Sequence, residues 1–172
     1  MKRTARLTRI AAALALSVGM AACADSPDKV LTKAKEAVEK QDFKAAEIHL
    51  KNFLQKEDSA EARFLLGSLY RRNGDLRASE RDLKRALELG FDADQVAPML
   101  AEVLIQSGQN EKVLELSRSA APKSPTAKAR LLVTAGRAEL ALGRQENAQR
   151  AYKAALEAAP DHIPAQVGML AL

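Results

Sequence analysis

The side chains able to act as nucleophiles, bases or metal ligands are few and far apart in this sequence. Cys23 is the only cysteine, so it can close no intramolecular disulfide and build no thiolate cluster. His49 and His162 are the only histidines; neither has a cysteine or second histidine at ligand spacing, and both are expected to be solvated. Ser117 and Ser119 have no strained turn around them and no nearby histidine, the base that would activate a serine hydroxyl. No glycine-rich loop follows a strand pattern, so a phosphate cradle has no support. The expectation is a chain with no catalytic residues, no metal and no cofactor. What is left is recognition chemistry. Phe64 with Arg71 and Arg72 would set an aromatic ring beside two cations, a group suited to an acidic or sugar-bearing chain.

The elements that must position such a surface are clearest in residues 129–160, ARLLVTAGRAELALGRQENAQRAYKAALEAAP. The stretch reads as two amphipathic helices joined by a tight turn. Gly136 and Ala148 fall mid-helix on facing segments, where a hydrogen or a methyl lets two backbones approach. Leu132, Leu140, Tyr152, Ala155 and Leu156 fill the space on either side, Gly143 relieves the turn and Pro160 ends the second helix. In this register the stretch resembles a tetratricopeptide repeat (TPR), whose Gly, turn Gly, Ala, Tyr, Ala and Pro recur over about 34 residues.

The register repeats. Gly67, Tyr70, Gly74, Leu83 and Ala86 take the same places in residues 60–93, with Ser79 where Ala148 stands; Ala34, Ala37, Ala46, Leu50 and Phe53 make an earlier copy. A poorer copy has Ala101, Leu104, Gly108 and Val113, and a second helix cut short by Pro122 and Pro125, so a distorted joint is expected there. Helices are expected over 29–40, its start near Ser26 or Pro27, and over 43–56, 60–73, 76–89, 93–107, 110–120, 127–142 and 145–158 and from 163 onward, with 120–125 a loop and Pro98 in a first helical turn. The expected fold is an all-α TPR α-solenoid of antiparallel helix pairs, about four repeats plus the first helix of a fifth. Its segments are a leader (1–22), a tether (23–28), repeats over 27–59, 60–93, 94–125 and 126–162, and an incomplete repeat helix over 163–172.

Composition agrees with helix-on-helix packing: 47% of the 172 residues are hydrophobic but only 3% aromatic, which leaves leucine and alanine to build the core. Of the net charge of +5, four units lie at Lys2, Arg3, Arg6 and Arg9, so the rest is nearly neutral and a nucleic-acid partner loses support. Those basic residues precede an apolar run from Ile10 to Ala22 and then Cys23, the layout of a secretory leader rather than a membrane span. Met20-Ala21-Ala22-Cys23 resembles a bacterial lipobox, although Met20 stands where Leu, Val or Ile is usual. The resemblance implies lipidation at Cys23 and an exported chain, with ordinary cleavage of the leader nearby as the alternative. Ala24, rather than Asp, after the cysteine implies the periplasmic face of the outer membrane.

By the TPR resemblance, the first helix of each pair lines a concave groove. The groove positions carried over are Leu31 and Lys35, then Phe64, Ser68, Arg71 and Arg72, then Glu102 and Gln106, then Val133, Arg137 and Leu140. For Phe64 the weightier alternative is packing against the preceding hairpin, with the arginines solvated. The places at which some TPR proteins clamp a C-terminal carboxylate hold Leu31, Lys35, Leu65, Gln95 and Met99, so that activity is not carried over. The leader with its cysteine, the phrase from Ala46 to Leu116 and the Gly90-Phe91-Asp92 insertion resemble the N-terminal part of PEP-CTERM system TPR-repeat lipoproteins of the PrsT type. That resemblance implies a non-catalytic scaffold in exopolysaccharide export or exosortase-dependent sorting, with other envelope proteins as partners. The alternatives are a TPR lipoprotein assisting secretin, pilus or outer-membrane protein assembly, and the N-terminal part of a larger enzyme.

Overall fold

The computed structural model describes residues 26–172; the expected leader and the first half of the tether, Cys23 included, lie outside the described residues. The elements are α1 (Pro27–Glu39), α2 (Phe43–Leu54), α3 (Ala60–Arg72), α4 (Leu76–Glu88), α5 (Ala93–Gln106), α6 (Asn110–Ser119), α7 (Pro125–Ala141), α8 (Gln145–Ala158) and α9 (Ile163–Leu170). No strand occurs among the described residues, and none of their helices is long and apolar enough to cross a membrane. Successive helices pack as hairpins, α1 on α2, α3 on α4, α5 on α6 and α7 on α8, and each hairpin rests on the next.

Local chemistry sets the boundaries. The side chains of Asp42, Ser59, Asp75 and Ser124 accept hydrogen bonds from Ala45, Ala62, Ala78 and Ala127 N–H, satisfying donors that a first helical turn leaves free. The turns inside hairpins two and four pass through Gly74 and Gly143 at φ of +80° and +74°. In hairpin one that left-handed place is taken by Gln41, at φ 59°, a conformation that costs a side-chain-bearing residue about 1–2 kcal/mol.

Most boundaries fall within two residues of those expected, and two prolines account for the differences that matter. Helix α7 starts at Pro125, not residue 127, because proline lacks only an N–H that a first turn would leave unpaired and Ser124 supplies the cap. Pro98 lies beyond the first turn of α5, fully buried inside the helix, which continues through it. The joint expected to be distorted by Pro122 and Pro125 is tied down by Asp94, whose carboxylate accepts from the backbone N–H groups of Lys123 and Ser124. Helix α6 ends at Ser119, one residue before Ala120 turns extended.

The core forms three successive patches among the described residues. Ala34, Ala46, Leu50, Phe53, Leu66 and Tyr70 belong to the first; Leu83, Val96, Leu100, Val103, Val113 and Leu131 to the second; Ala129, Val133, Ala148, Tyr152, Ala155 and Ala165 to the third. Helix α7 serves two of them, with Leu131, Ala135 and Ala138 facing one way and Ala129 and Val133 the other. Full burial of a leucine such as Leu83 contributes about 2 kcal/mol. Ala46, Ser79, Ala86 and Ala148 are fully buried, and the Ser79 hydroxyl donates to the Gly67 carbonyl at 2.8 Å, which satisfies its one polar group.

The glycines act somewhat differently from the expectation. Gly136 makes room for the Tyr152 ring rather than for Ala148: a Cβ there would lie 2.6 Å from Tyr152 Cε1. Gly168 of α9 abuts the same ring, where a Cβ would lie 2.7 Å away, so Tyr152 is held between two glycine faces. At Gly67 a Cβ would meet Leu83 Cγ at 2.8 Å and Leu83 N at 3.0 Å. Leu140, expected to fill the fourth hairpin, is exposed instead. Since the buried Tyr152 ring abuts Gly136 and Gly168 alike, Gly136→Ala should cost about 1–3 kcal/mol, a fall of several degrees in Tm. The loss should shrink when Tyr152→Leu is also present. Thermal melts of the four proteins check this; an equal loss in both backgrounds would show that the ring is not the obstacle.

Candidate interaction surface

The first helices of consecutive hairpins are joined through polar side chains on one face. Lys35 of α1 pairs with Glu61 of α3 at 2.7 Å. Arg71 of α3 reaches Glu102 of α5 at 3.8 Å, and Arg130 of α7 reaches the same carboxylate at 3.3 Å. Between them the Ser68 hydroxyl lies 3.3 Å from Met99 Sδ while donating to the Phe64 carbonyl at 2.7 Å. These contacts step from α1 through α3 and α5 to α7, so they mark a continuous face.

That face carries a surplus of positive charge. Two guanidinium groups share the Glu102 carboxylate, and Arg137, exposed further along α7, forms no ion pair among the described residues. Arg71 Nε is buried with no hydrogen-bond partner, so part of its donor capacity is unused. Pairs of this kind at the surface each contribute about 0–1 kcal/mol to stability. Their larger effect is on the potential that a charged partner meets.

The aromatic and cationic group expected at Phe64, Arg71 and Arg72 does not assemble. Phe64 is half-buried and stacked on Phe91, ring centroids 4.7 Å apart and planes 20° from parallel, so it neither lines an open groove nor packs on the preceding hairpin. Phe91 comes from the insertion between α4 and α5, which supplies an apolar partner that the repeat register alone does not contain. Arg72 turns the other way and lies over the Phe43 ring of the first hairpin at 4.0 Å. Val133 is buried in the core rather than lining the groove, while Leu31 is half-buried and Gln106 and Leu140 are exposed. His49 and His162 are half-buried rather than solvated, and His162 Nδ1 meets no hydrogen-bond partner among the described residues. Among the described residues no group of histidine, cysteine, aspartate or glutamate side chains is arranged to hold a metal.

Sequence reasoning selected Lys35, Ser68, Arg71, Glu102 and Arg137 on this face and placed Met99 at a groove position, but missed Glu61 and Arg130. A signal was available. Glu61 lies seven residues before Ser68, and Arg130 seven before Arg137, two helical turns that keep a side chain on the same face.

A second polar cluster braces hairpin two from outside the groove. Asp82 is fully buried and accepts from Arg63 Nη1 at 2.6 Å and Arg81 Nη2 at 2.7 Å. Arg63 and Arg85 also hold Asp58, at 2.7 and 2.8 Å. A buried carboxylate between two guanidinium groups is strongly destabilising only when one partner is removed. The hydrogen bonds from Arg63 and then Arg85 hold the Asp58 carboxyl below its ordinary value. Burial alone would raise Glu80, but hydrogen bonds from Lys112 and Gln109 outweigh it and the carboxyl is lowered.

Comparison with known proteins agrees with this architecture. Residues 60–89 and 129–162 match the tetratricopeptide repeat family. No curated protein sequence matches the chain. A crystal structure of MamA is similar over 80% of this chain and 81% of its own, with 24% identity and a TM-score of 0.70. A tetratricopeptide repeat protein from Parabacteroides merdae is similar over 83% of this chain and 57% of its own, with 22% identity and a TM-score of 0.71. PilF from Pseudomonas aeruginosa is similar over 83% of this chain and 65% of its own, with 16% identity and a TM-score of 0.65. The fold is therefore a TPR α-solenoid. At these identities the likeness concerns the fold alone.

Because the folded state lowers Asp58 and Glu80, their contribution is present above the ordinary carboxyl values of 3.8 and 4.5 and is lost as pH falls below them. Melting curves taken from pH 6 downward should show a steeper loss of Tm for the native chain than for Asp58→Asn with Glu80→Gln. Parallel curves would remove these two groups as the cause.

Proposed function

We propose that this chain is a lipid-anchored scaffold of the bacterial cell envelope that holds other proteins through the face of its first helices and carries out no turnover of its own. One observation carries the reading: an ion-pair ladder runs along that face, with Arg71 and Arg130 sharing Glu102 and Arg137 unpaired among the described residues. An extended acidic segment laid across the face would find guanidinium groups in excess, and a rigid array of helix pairs holds them at fixed spacing. YrrB, a TPR protein similar in fold, has an unusual peptide-binding site, which supports a peptide as the kind of partner.

The residues outside the described part supply the address. A basic end, an apolar run and Met20-Ala21-Ala22-Cys23 support export and lipidation at Cys23, and Ala24 supports the outer membrane's periplasmic face. Resemblance of residues 46–116 to PEP-CTERM system lipoproteins supports partners among the components of exopolysaccharide export or exosortase-dependent sorting.

Two measurements test the reading. In a two-membrane bacterium fed an alkyne-labelled fatty acid, the full chain should be labelled and sediment with membranes, and Cys23→Ser should abolish the label and release the chain. A Cys23→Ser chain that stays labelled would overturn the anchor. A fluorescent oligoglutamate peptide should bind with an affinity that falls as salt is raised, and Arg71→Glu with Arg130→Glu should weaken it about tenfold, equivalent to about 1.4 kcal/mol. Binding indifferent to both salt and the double variant would overturn the groove.

A further inference from the structure

The second helices carry a separate feature. Between α4 and α6 runs a trough of about 300 Å³, its floor made by Leu100 and Leu104 of α5. One wall is Glu80, Lys84, Leu87 and Glu88 of α4, and the other is Lys112, Glu115, Leu116 and Ser119 of α6. Spacings of three and four residues put each set on a single helix face. At one end the walls are clasped: Glu80 accepts from Lys112 Nζ at 2.8 Å and from Gln109 Nε2 at 2.6 Å.

One turn further along, the clasp is not repeated. Lys84 on one wall and Glu115 on the other carry opposite charges, yet no ion pair joins them. Lys84 acts on Glu80 only through space, the Glu115 carboxylate has no partner among the described residues, and Glu88 is engaged by Arg85 of its own helix at 3.3 Å. Two opposite charges are therefore left over on either side of a leucine-lined floor.

We propose that this trough is a second docking site, which takes an amphipathic helix of another protein bearing two apolar anchors one turn apart, a cation on one flank for Glu115 and a carboxylate on the other for Lys84. The apolar floor favours apolar anchors. A volume at the low end for ligand pockets suits a few side chains better than a cofactor. Helix-in-groove recognition supplies anchors at the spacing the floor offers, since Leu100 and Leu104 are themselves one turn apart. Walls of mixed sign disfavour a nucleic acid or an anionic membrane, each of which needs a cationic surface. The site is independent of the first-helix face, so failure of either leaves the other standing.

The test uses three alanine-based helical peptides, each with two leucines four residues apart. One has a lysine flank and a glutamate flank, one has two lysine flanks and one has two glutamate flanks. The native chain should bind the mixed peptide about tenfold more tightly than the other two. Lys84→Glu should shift the preference to the double-lysine peptide, and Glu115→Lys to the double-glutamate peptide. Both side chains are exposed, so both variants should stay folded, Lys84→Glu with a slightly lower Tm because it sets a third carboxylate between Glu80 and Glu88. Methyl shifts at Leu87, Leu104 and Leu116 should locate the peptide, and Arg71→Glu with Arg130→Glu should leave binding unchanged. No binding, a preference that neither substitution moves, or shifts that spare Leu87, Leu104 and Leu116 would overturn the proposal.

Discussion

Each hairpin depends on how closely its two helices can approach, and that is decided by the side chains that are missing from the contact. Gly67 lets Leu83 press against the α3 backbone, and Gly136 with Gly168 leaves a slot as thick as the Tyr152 ring. Hairpin one achieves the same with Ala34 and Ala46, both fully buried. Dispersion between groups at such distances is small per atom pair but summed over a whole helix face. With few aromatics to fill gaps, close approach is the main source of a dense core.

Local packing of this kind decides where charge can go. Each core patch draws only on neighbouring helices, so polar side chains collect on the faces left over, one along the first helices and others around the second. Asp82 is the exception: it is buried between Arg63 and Arg81, at the cost of desolvating a carboxylate, and so links α3 to α4 by geometry rather than by apolar area. Ser79, three residues earlier, is buried for the same structural reason but needs only one carbonyl to be satisfied.

The fold was legible because its signals are local. Gly67, Gly74, Gly136 and Gly143 fall at fixed intervals, and the capping residues Asp42, Ser59 and Asp75 stand directly before their helices. The candidate face was legible only in part. A register gives the side of a helix on which Phe64, Arg71 or Val133 starts, but not which neighbour each will meet. Phe91 took Phe64, Phe43 took Arg72, and α8 and α9 enclosed Val133. The contact between Asp94 and the loop before α7 spans about thirty residues and has no periodic mark at all, so nothing in the local pattern could reveal it.

The least regular hairpin is also the one with most to offer beyond the repeat. Helix α6 has 10 residues against 13 in α4, and it stops where Ala120 turns extended. The wall it builds against α4 is closed by Glu80, Lys112 and Gln109 at one end and left open at the rung of Lys84 and Glu115, inside both helices. The units do not repeat their contacts exactly, and among the second helices α6 is the shortest, at 10 residues. Uniform repeats supply stiffness, and at the docking site proposed above the departure from uniformity would be what tells one partner from another.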